Sequence, residues 1–338
     1  MPDPEMVRFV EAQHLAEPGV VARWLPLTGG VSSDIWKVEQ NGRTICVKRA
    51  LPQLKVDAVW EAPVSRNAYE WAWMQFAAEH CPMNVPTPIA QDPQAGLFAM
   101  AYLEPEVHPV WKQQLLAGQV NANLAAQVGQ VLGEIHAASA WRIDIAKRFD
   151  AIQNFYALRL EPYLVAAAAR HPEISQALLS LVAQTAGTTH ALVHGDVSPK
   201  NILAGPAGPV ILDAECAWYG DPAFDLAFCL NHLLLKAIVV PGRSVELARS
   251  FMALSCSYLD RVTWESKQDV EGRAARLLPG LLLARIDGKS PVEYINDEKH
   301  KDEVRHFTIS LIKNPPAQLG DICRSWFEAS GRDSHSRA

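Results

Sequence analysis

Three side chains with oxygen donors lie within a short stretch near the middle of this chain. Asp196 precedes Asn201 by five residues in the segment VHGDVSPKNIL, and Asp213 follows the apolar run PVIL. Phosphoryl transfer needs such a set: a carboxylate orients an attacking hydroxyl and accepts its proton, while amide and carboxylate oxygens hold Mg²⁺ on the phosphates. We therefore predict that Asp196 is a general base and that Asn201 and Asp213 are Mg²⁺ ligands.

Glu215 follows Asp213 by two residues and extends the acidic cluster. It could be a further metal ligand, an acceptor-site carboxylate or a hydrogen-bond partner within its loop, and the sequence leaves all three open. Two carboxylates about 4 Å apart repel by roughly 4 kcal/mol at an effective dielectric constant near 20. We therefore expect Mg²⁺ with a nucleotide to relieve repulsion in this cluster. A His-Gly-Asp turn without chemistry is disfavoured by the spacing of Asn201 and Asp213.

This pattern resembles the catalytic core of small-molecule kinases of the aminoglycoside phosphotransferase and choline kinase group, which are relatives of the protein kinases. Where protein kinases have Asp-Phe-Gly, residues 213–215 read Asp-Ala-Glu, which is similar to the form in methylthioribose and choline kinases. The segment WYGDPAFDLA completes the resemblance. It implies that Asp225 braces the catalytic loop from a buried helix, hydrogen-bonded to backbone amides, and that His194 orients the loop.

A β-hairpin is predicted upstream of this core. Asn41-Gly42 is a type I′ turn dipeptide, and the strand-like runs DIWKVE and TICVK flank it. A two-residue turn fixes the register, so Trp36 lies opposite Val47. Cys46 and Lys48 then share the other face of the hairpin.

The resemblance implies an ATP site built from this hairpin and its neighbours. Lys48 would contact the α- and β-phosphates, with Glu70 of the next predicted helix holding its side chain; Glu61 and Glu79 are rival partners. The residues assigned to the nucleotide are Gly29, Gly30 and Ser32 of a glycine-rich turn, Cys46, Lys48 and Glu70, and Met100, Ala101, Tyr102 and Leu103 of a hinge strand. The turn lacks the full G-x-G-x-x-G spacing, so an ordinary turn remains the alternative.

The predicted fold is α+β, a two-lobed protein-kinase-like fold. Residues 1–103 would form a small antiparallel-sheet lobe that binds the nucleotide, and residues 104–338 a mainly helical catalytic and acceptor-binding lobe. Prolines 86 and 88 are expected to begin an extended loop, and Pro162 to lie in or near a break between helices. Asp221-Pro222 is expected to begin a helix that is apolar almost all round and buried.

Composition bounds the function classes further. The 338 residues are 49% hydrophobic and carry a formal net charge of −6, which does not indicate a nucleic-acid binder. The six cysteines are scattered, so we expect reduced thiols rather than disulfides or a zinc site. No signal peptide and no apolar run long enough to span a membrane are visible. We expect a cytoplasmic protein; the sequence does not indicate its oligomeric state.

The leading interpretation is ATP- and Mg²⁺-dependent phosphorylation of a hydroxyl on a small molecule: an amino alcohol, a sugar, a hydroxy amino acid or an aminoglycoside. The alternative is a non-catalytic nucleotide-binding pseudokinase or regulator, and a protein kinase is a third candidate. Glu215, Asp260 and Glu265 could favour a cationic acceptor, or the last two could simply lie on the surface. The polar break after Arg285 could bind an anionic group or be an ordinary helix-ending loop.

Overall fold

The computed structural model describes residues 2–17, 20–27, 33–51 and 66–329. The strands are β1 (Arg23–Pro26), β2 (Ser33–Gln40), β3 (Arg43–Ala50), β4 (Pro88–Asp92), β5 (Leu97–Ala101), β6 (Ala191–Val193), β7 (Ile202–Gly205), β8 (Gly208–Ile211) and β9 (Trp218–Gly220). The first five form an antiparallel sheet with the strand order β1-β2-β3-β5-β4. Two small antiparallel pairs, β6 with β9 and β7 with β8, lie later in the chain.

The hairpin has the predicted register. Trp36 pairs with Val47, and Ile35 pairs with Lys48. Asn41 and Gly42 both have positive φ, 49° and 77°, as a type I′ turn requires. The turn therefore delivers Lys48 to the predicted face of the sheet.

The two faces of the sheet are covered by different helices. Helix α1 (Pro4–Ala12), which the sequence analysis did not predict, packs Met6 and Phe9 against Val47 on one face. On the opposite face, Trp71 of α2 (Arg66–His80) packs against Phe98. Helix α2 covers the face that carries Lys48, which places its own side chains beside that lysine.

Helices make up most of the remaining chain, as the α+β prediction requires. They are α3 (Trp111–Leu116), α4 (Ala122–Ser139), α5 (Ile143–Arg148), α6 (Ile152–Phe155), α7 (Ala166–Arg170), α8 (Ser175–Gly187), α9 (Ala223–Val239), α10 (Ser244–Leu259), α11 (Lys267–Asp287), α12 (Glu298–Lys313) and α13 (Leu319–Ala329). Helix α9 is buried along almost its whole length, as predicted. Asp221 accepts a hydrogen bond from the amide of Ala223, the first residue of α9, but the N-cap position is Pro222, one residue later than predicted.

Two prolines behave differently from the prediction. Pro88 lies in strand β4 rather than in an extended loop; β4 is an edge strand, where the missing N–H of proline is tolerated. Pro162 does not break the helix, because the π-helical segment Tyr156–Val165 joins α6 to α7 around it. The wider π turn accommodates a residue that cannot complete the α-helical hydrogen-bond ladder.

No disulfide joins any of the six cysteines, all of which lie within the described residues. Within the described ranges, no helix is both long enough and apolar enough to cross a bilayer. The division of the chain into lobes at residues 103 and 104 stays a prediction.

Candidate active site

Asp225 supports the loop that carries Asp196 through hydrogen bonds to its backbone. Its carboxylate accepts hydrogen bonds from the backbone amides of His194 (2.7 Å) and Gly195 (2.8 Å). His136 of α4 approaches the same carboxylate at 3.2 Å, and its other ring nitrogen lies 2.8 Å from the Tyr258 hydroxyl. The resemblance implied this bracing role, and the hydrogen bonds to the two loop amides are those expected.

The loop itself needs a glycine at position 195. Gly195 has a φ of +80°, and a Cβ built there would lie 2.7 Å from the carbonyl oxygen of Cys216. His194 Nε2 lies 3.0 Å from the Leu212 carbonyl, and its Nδ1 accepts a hydrogen bond from the Asp196 amide. His194 therefore orients the loop, and burial lowers its pKa, which favours the neutral imidazole.

The carboxylate of Asp196 is held through one of its two oxygens. Oδ2 lies 2.8 Å from Arg159 Nη2, 3.2 Å from Lys200 Nζ and 2.9 Å from Asn201 Nδ2. Within the described residues, no hydrogen bond is recorded to Oδ1. Burial raises the pKa of Asp196, but the charges of Arg159 and Lys200 outweigh it, so the pKa lies below its ordinary value.

Arg159, which the sequence analysis missed, lies in the π-helical segment and is buried. Besides its contact with Asp196, its Nε donates to the Gly195 carbonyl at 2.6 Å. One guanidinium thus joins the side chain of Asp196 to the backbone of its loop. The sequence signal is weak, because an arginine on a helix is ordinarily solvent-exposed.

A second ion-pair group joins the sheet to the loop that follows β8. Lys48 Nζ lies 2.7 Å from Glu70 Oε1 and 2.5 Å from Asp213 Oδ1. Glu70 therefore contacts Lys48, as predicted, and the described rival Glu79 does not; Glu61 lies outside the described residues. Asp213 has a φ of 67°, a left-handed conformation that aspartate tolerates better than most residues.

The charges in this group favour an ionised Lys48 and Asp213. Burial lowers the pKa of Lys48, but Asp213 and Glu70 outweigh it and raise the pKa above its usual range. Burial raises the pKa of Asp213, but Lys48 and Lys200 hold it well below the ordinary value. For Glu70, burial dominates and raises the pKa to about 7 despite the adjacent Lys48.

Glu215 pairs with Arg66 of α2, whose Nε lies 2.9 Å from Glu215 Oε2. Arg66 is fully buried and also donates to the Leu51 carbonyl at 2.5 Å. Burial raises the pKa of Glu215, and the charge of Asp213 adds to the effect. Each acidic residue of the cluster therefore has its own cation, which offsets much of the repulsion expected from the sequence. The metal or acceptor role of Glu215 stays a prediction.

The oxygens left over by these contacts fit a divalent cation. The side-chain nitrogen of Asn201 donates to Asp196, so its side-chain oxygen Oδ1 remains available. Asp213 uses Oδ1 for Lys48, which leaves Oδ2. The backbone amide of Leu212 donates to the backbone carbonyl of Asn201 at 2.8 Å and brings the two loops together. No cluster of three or more His, Cys, Asp or Glu side chains arranged for a metal is found in the part of the chain that the structure describes.

The residues predicted to form the hinge, 100–103, lie at the end of strand β5 and just beyond it, beside Cys46 of β3. Cys46 pairs with Met100 in the sheet, and burial raises the pKa of its thiol to about 12. The Ala101 amide donates to the Thr87 carbonyl, so that amide is already used. Tyr102 and Leu103 make no hydrogen bond with other described residues. Gly29, Gly30 and Ser32 of the glycine-rich turn lie outside the described ranges.

The two acidic residues considered for a cationic acceptor are engaged elsewhere. Glu265 forms an ion pair with Arg273 at 2.7 Å and lies 3.0 Å from His190. Asp260 is exposed and pairs with Lys267. The polar break after Arg285 is the loop that ends α11. Asp260 therefore lies on the surface, as the simpler interpretation has it, whereas the side chain of Glu265 is only 11% exposed.

Comparison with known proteins supports the same fold. The amicoumacin kinase structure, solved with AMP-PNP and Ca²⁺, has a TM-score of 0.59 at 15% identity and covers 96% of this chain and 97% of its own. The choline kinase of Cryptosporidium parvum Iowa II has a TM-score of 0.50 at 12% identity, covering 98% and 96% of the two chains. These likenesses confirm the predicted protein-kinase-like fold.

Sequence comparison finds curated relatives and a family. The methylthioribose kinase of Pectobacterium atrosepticum is 26% identical over 234 residues, which cover 61% of this chain and 58% of that enzyme. The Escherichia coli O45:K1 methylthioribose kinase is 26% identical over 237 residues, covering 62% and 56%. This chain thus spans less than two thirds of the length of these relatives. Residues 23–262 match the family model described as "Phosphotransferase enzyme family", so the chain belongs to that family.

Proposed function

We propose that this protein is a kinase that transfers the γ-phosphate of ATP to a hydroxyl group of a small molecule, with Mg²⁺ as its metal. The observation that carries the proposal is the contact between Lys48, Glu70 and Asp213, because it brings a lysine of the sheet to the loop region that holds Asp196. The family and the methylthioribose kinase relatives support the same reaction class.

Nucleotide binding is assigned to the face of the sheet that carries Lys48. Its ammonium, oriented by Glu70, would contact the α- and β-phosphates. The backbone of Tyr102 and Leu103 would receive the adenine edge, since the Ala101 amide is already used by Thr87. The roles proposed for Gly29, Gly30, Ser32, Cys46 and Met100 rest on the sequence resemblance.

The acceptor hydroxyl is assigned to Oδ1 of Asp196. Three donors hold Oδ2, so the carboxylate is fixed in orientation while Oδ1 remains able to accept a hydrogen bond. As the hydroxyl oxygen bonds to the γ-phosphorus and the bond to the ADP oxygen breaks, the hydroxyl proton passes to Asp196. The products are ADP and a phosphate monoester.

Asn201 and Asp213 would hold Mg²⁺ through their remaining oxygens, with Glu215 as a further candidate ligand. When bound, the metal neutralises charge on the transferring phosphate. Lys48 must share Asp213 with that metal, because its ammonium already contacts Oδ1.

An ADP-release assay with Mg·ATP across amino alcohols, sugars, hydroxy amino acids and aminoglycosides tests the proposal. We expect release that depends on one acceptor class and forms a phosphorylated product detectable by mass spectrometry. A protein that binds Mg·ATP but releases no ADP with any acceptor class would instead be the nucleotide-binding regulator. The presence of Asp196, Asn201, Asp213 and Lys48 in one region favours the enzyme.

A further inference from the structure

Helix α9, whose Asp225 supports the Asp196 loop, also carries two buried basic side chains farther along its length. His232 and Lys236 follow Asp225 on this helix, and a rise of about 1.5 Å per residue places Lys236 about 16 Å along the axis from Asp225. The ring centroid of Tyr163 lies 5.9 Å from the guanidinium of Arg159 and 5.5 Å from that of Arg285. Positive charge therefore extends from Arg159, which contacts Asp196, past Tyr163 to Arg285.

Lys236 is a buried ammonium without a carboxylate partner. The residue is 1% exposed, and no ion pair or hydrogen bond joins its Nζ to another described residue. Its contact is the ring of Tyr294, whose centroid lies 3.5 Å from Nζ. The neighbouring Glu293 pairs with Lys112 instead. Burying an unpaired ion is strongly unfavourable, and a cation–π contact offsets only part of that cost.

Unused polar atoms surround this ammonium. His232 Nε2, Arg285 Nε and the Tyr294 hydroxyl are buried and have no hydrogen-bond partner among the described residues. Arg285 uses Nη1 for Tyr163 and Ser290, and no carboxylate among the described residues pairs with it. After burial itself, the charges of Arg285, Lys236, Lys200 and Lys112 hold the pKa of His232 well below its ordinary value. Four cations thus act on one buried histidine.

We propose that Lys236, Arg285, His232 and Tyr294, here called the basic cluster, bind an anionic group of the acceptor, a carboxylate or a phosphate. This inference rests on the proposed function, in which the acceptor hydroxyl lies at Asp196. An anion would give Lys236 its missing counterion and would accept hydrogen bonds from the unused donors. A cationic acceptor would face the charges of Lys236 and Arg285 there and would be disfavoured, although Glu293, which pairs with Lys112, lies nearby.

The position of the cluster in the chain also indicates a role in selecting the acceptor. Arg285 and Tyr294 lie beyond residue 262, where the family match ends, whereas Asp196 and Asp213 lie within it. The residues proposed for chemistry therefore belong to the shared segment, and half of the basic cluster does not. Burial lowers the pKa of Lys236 to about 7, with Lys112 adding to the effect, and a bound anion would raise it again.

Thermal unfolding of the protein saturated with Mg·AMP-PNP at pH 6.5 tests this inference. The probes are inorganic phosphate and four related pyranoses: glucuronate, glucose 6-phosphate, glucose and glucosamine. We expect phosphate or an acidic sugar to raise the Tm by about 2–4 °C, and neither glucose nor glucosamine to do so. Comparison of glucuronate with glucose 6-phosphate distinguishes a carboxylate from a phosphate.

Variants test whether an anion-induced rise of the Tm arises at the basic cluster. Lys236→Met and Arg285→Gln should each reduce the anion-induced shift to less than half, whereas the exposed control Lys267→Met should keep it. The inference is overturned if no anion raises the Tm, if glucose or glucosamine raises it equally, or if the shift persists in Lys236→Met. The Tm rise caused by Mg·AMP-PNP alone is recorded in the same experiment, so loss of nucleotide binding, which would contradict the proposed function, is seen separately.

Discussion

Replacement of Arg159 by methionine should move the pH dependence of catalysis. Arg159 lies 2.8 Å from Asp196, and both residues are buried. A pair of charges about 4 Å apart interacts by roughly 4 kcal/mol at an effective dielectric constant near 20, which corresponds to about three pKa units. Lys200 still faces the carboxylate in the variant, so the pKa of Asp196 should rise by between about one and three units.

The direction follows from the role of the carboxylate. Asp196 must be ionised to accept a proton, so kcat falls as the pH drops through its pKa. In the wild type this pKa lies below the ordinary aspartate value, and the acidic limb should fall below about pH 4. In Arg159→Met the limb should move to higher pH by the same shift of about one to three units.

The assay is the pH profile of kcat for the wild type, Arg159→Met and Arg159→Lys. The lysine variant keeps a positive charge and should recover part of the shift, although it loses the fork that also reaches the Gly195 carbonyl. Arg148→Met, which removes an exposed arginine bonded to Gln75, is the matched control. An unchanged acidic limb in folded Arg159→Met would refute the reasoning.

Three further outcomes are expected. Asp225→Asn should lower the free energy of unfolding by about 1–3 kcal/mol in urea titration, because asparagine keeps one oxygen acceptor and leaves one of the two loop amides without a partner. Exposed Asp260→Asn should change it by under about 0.5 kcal/mol, and similar losses would contradict the bracing role. The pKa of Lys236 lies near 7 in the folded chain and near 10.5 when unfolded, so its cost to stability is full below pH 7 and declines up to pH 10.5. Lys236→Met should therefore raise the Tm more at pH 6 than at pH 9, and an equal change at both values would exclude this. Mg·ATP should raise the Tm more than ATP with a chelator, and equal shifts would count against the metal site.

Local signals predicted the hairpin register and the partner of Lys48. The Asn41-Gly42 turn determined the register that orients Lys48, because a two-residue turn leaves a hairpin little freedom. Glu70 followed from its position on the next helix, and its contact with Lys48 agrees with that choice. The resemblance implied the Asp225 brace, and a carboxylate on an otherwise apolar helix must find hydrogen-bond donors.

Features that depend on tertiary contacts were not predicted. Arg159 and Arg66 reach Asp196 and Glu215 from distant segments, and nothing in their spacing distinguishes a buried arginine from a surface one. Helix α1 is short and is stabilised by packing on the sheet rather than by its own propensity. Pro162 was interpreted as a helix break. A π-helical segment accommodates it instead, and that depends on the surrounding helices, which the local sequence does not show.

Comparison of nucleotide binding with turnover in Asp196→Ala tests the central claim most directly. With the best acceptor from the ADP-release assay, the account predicts that the Kd for Mg·ATP stays within a few-fold of the wild type. It also predicts that kcat falls by at least the ~10²–10⁴-fold attributable to a general base. Turnover that survives the loss of this carboxylate would contradict the assignment of the proton acceptor and the mechanism built on it.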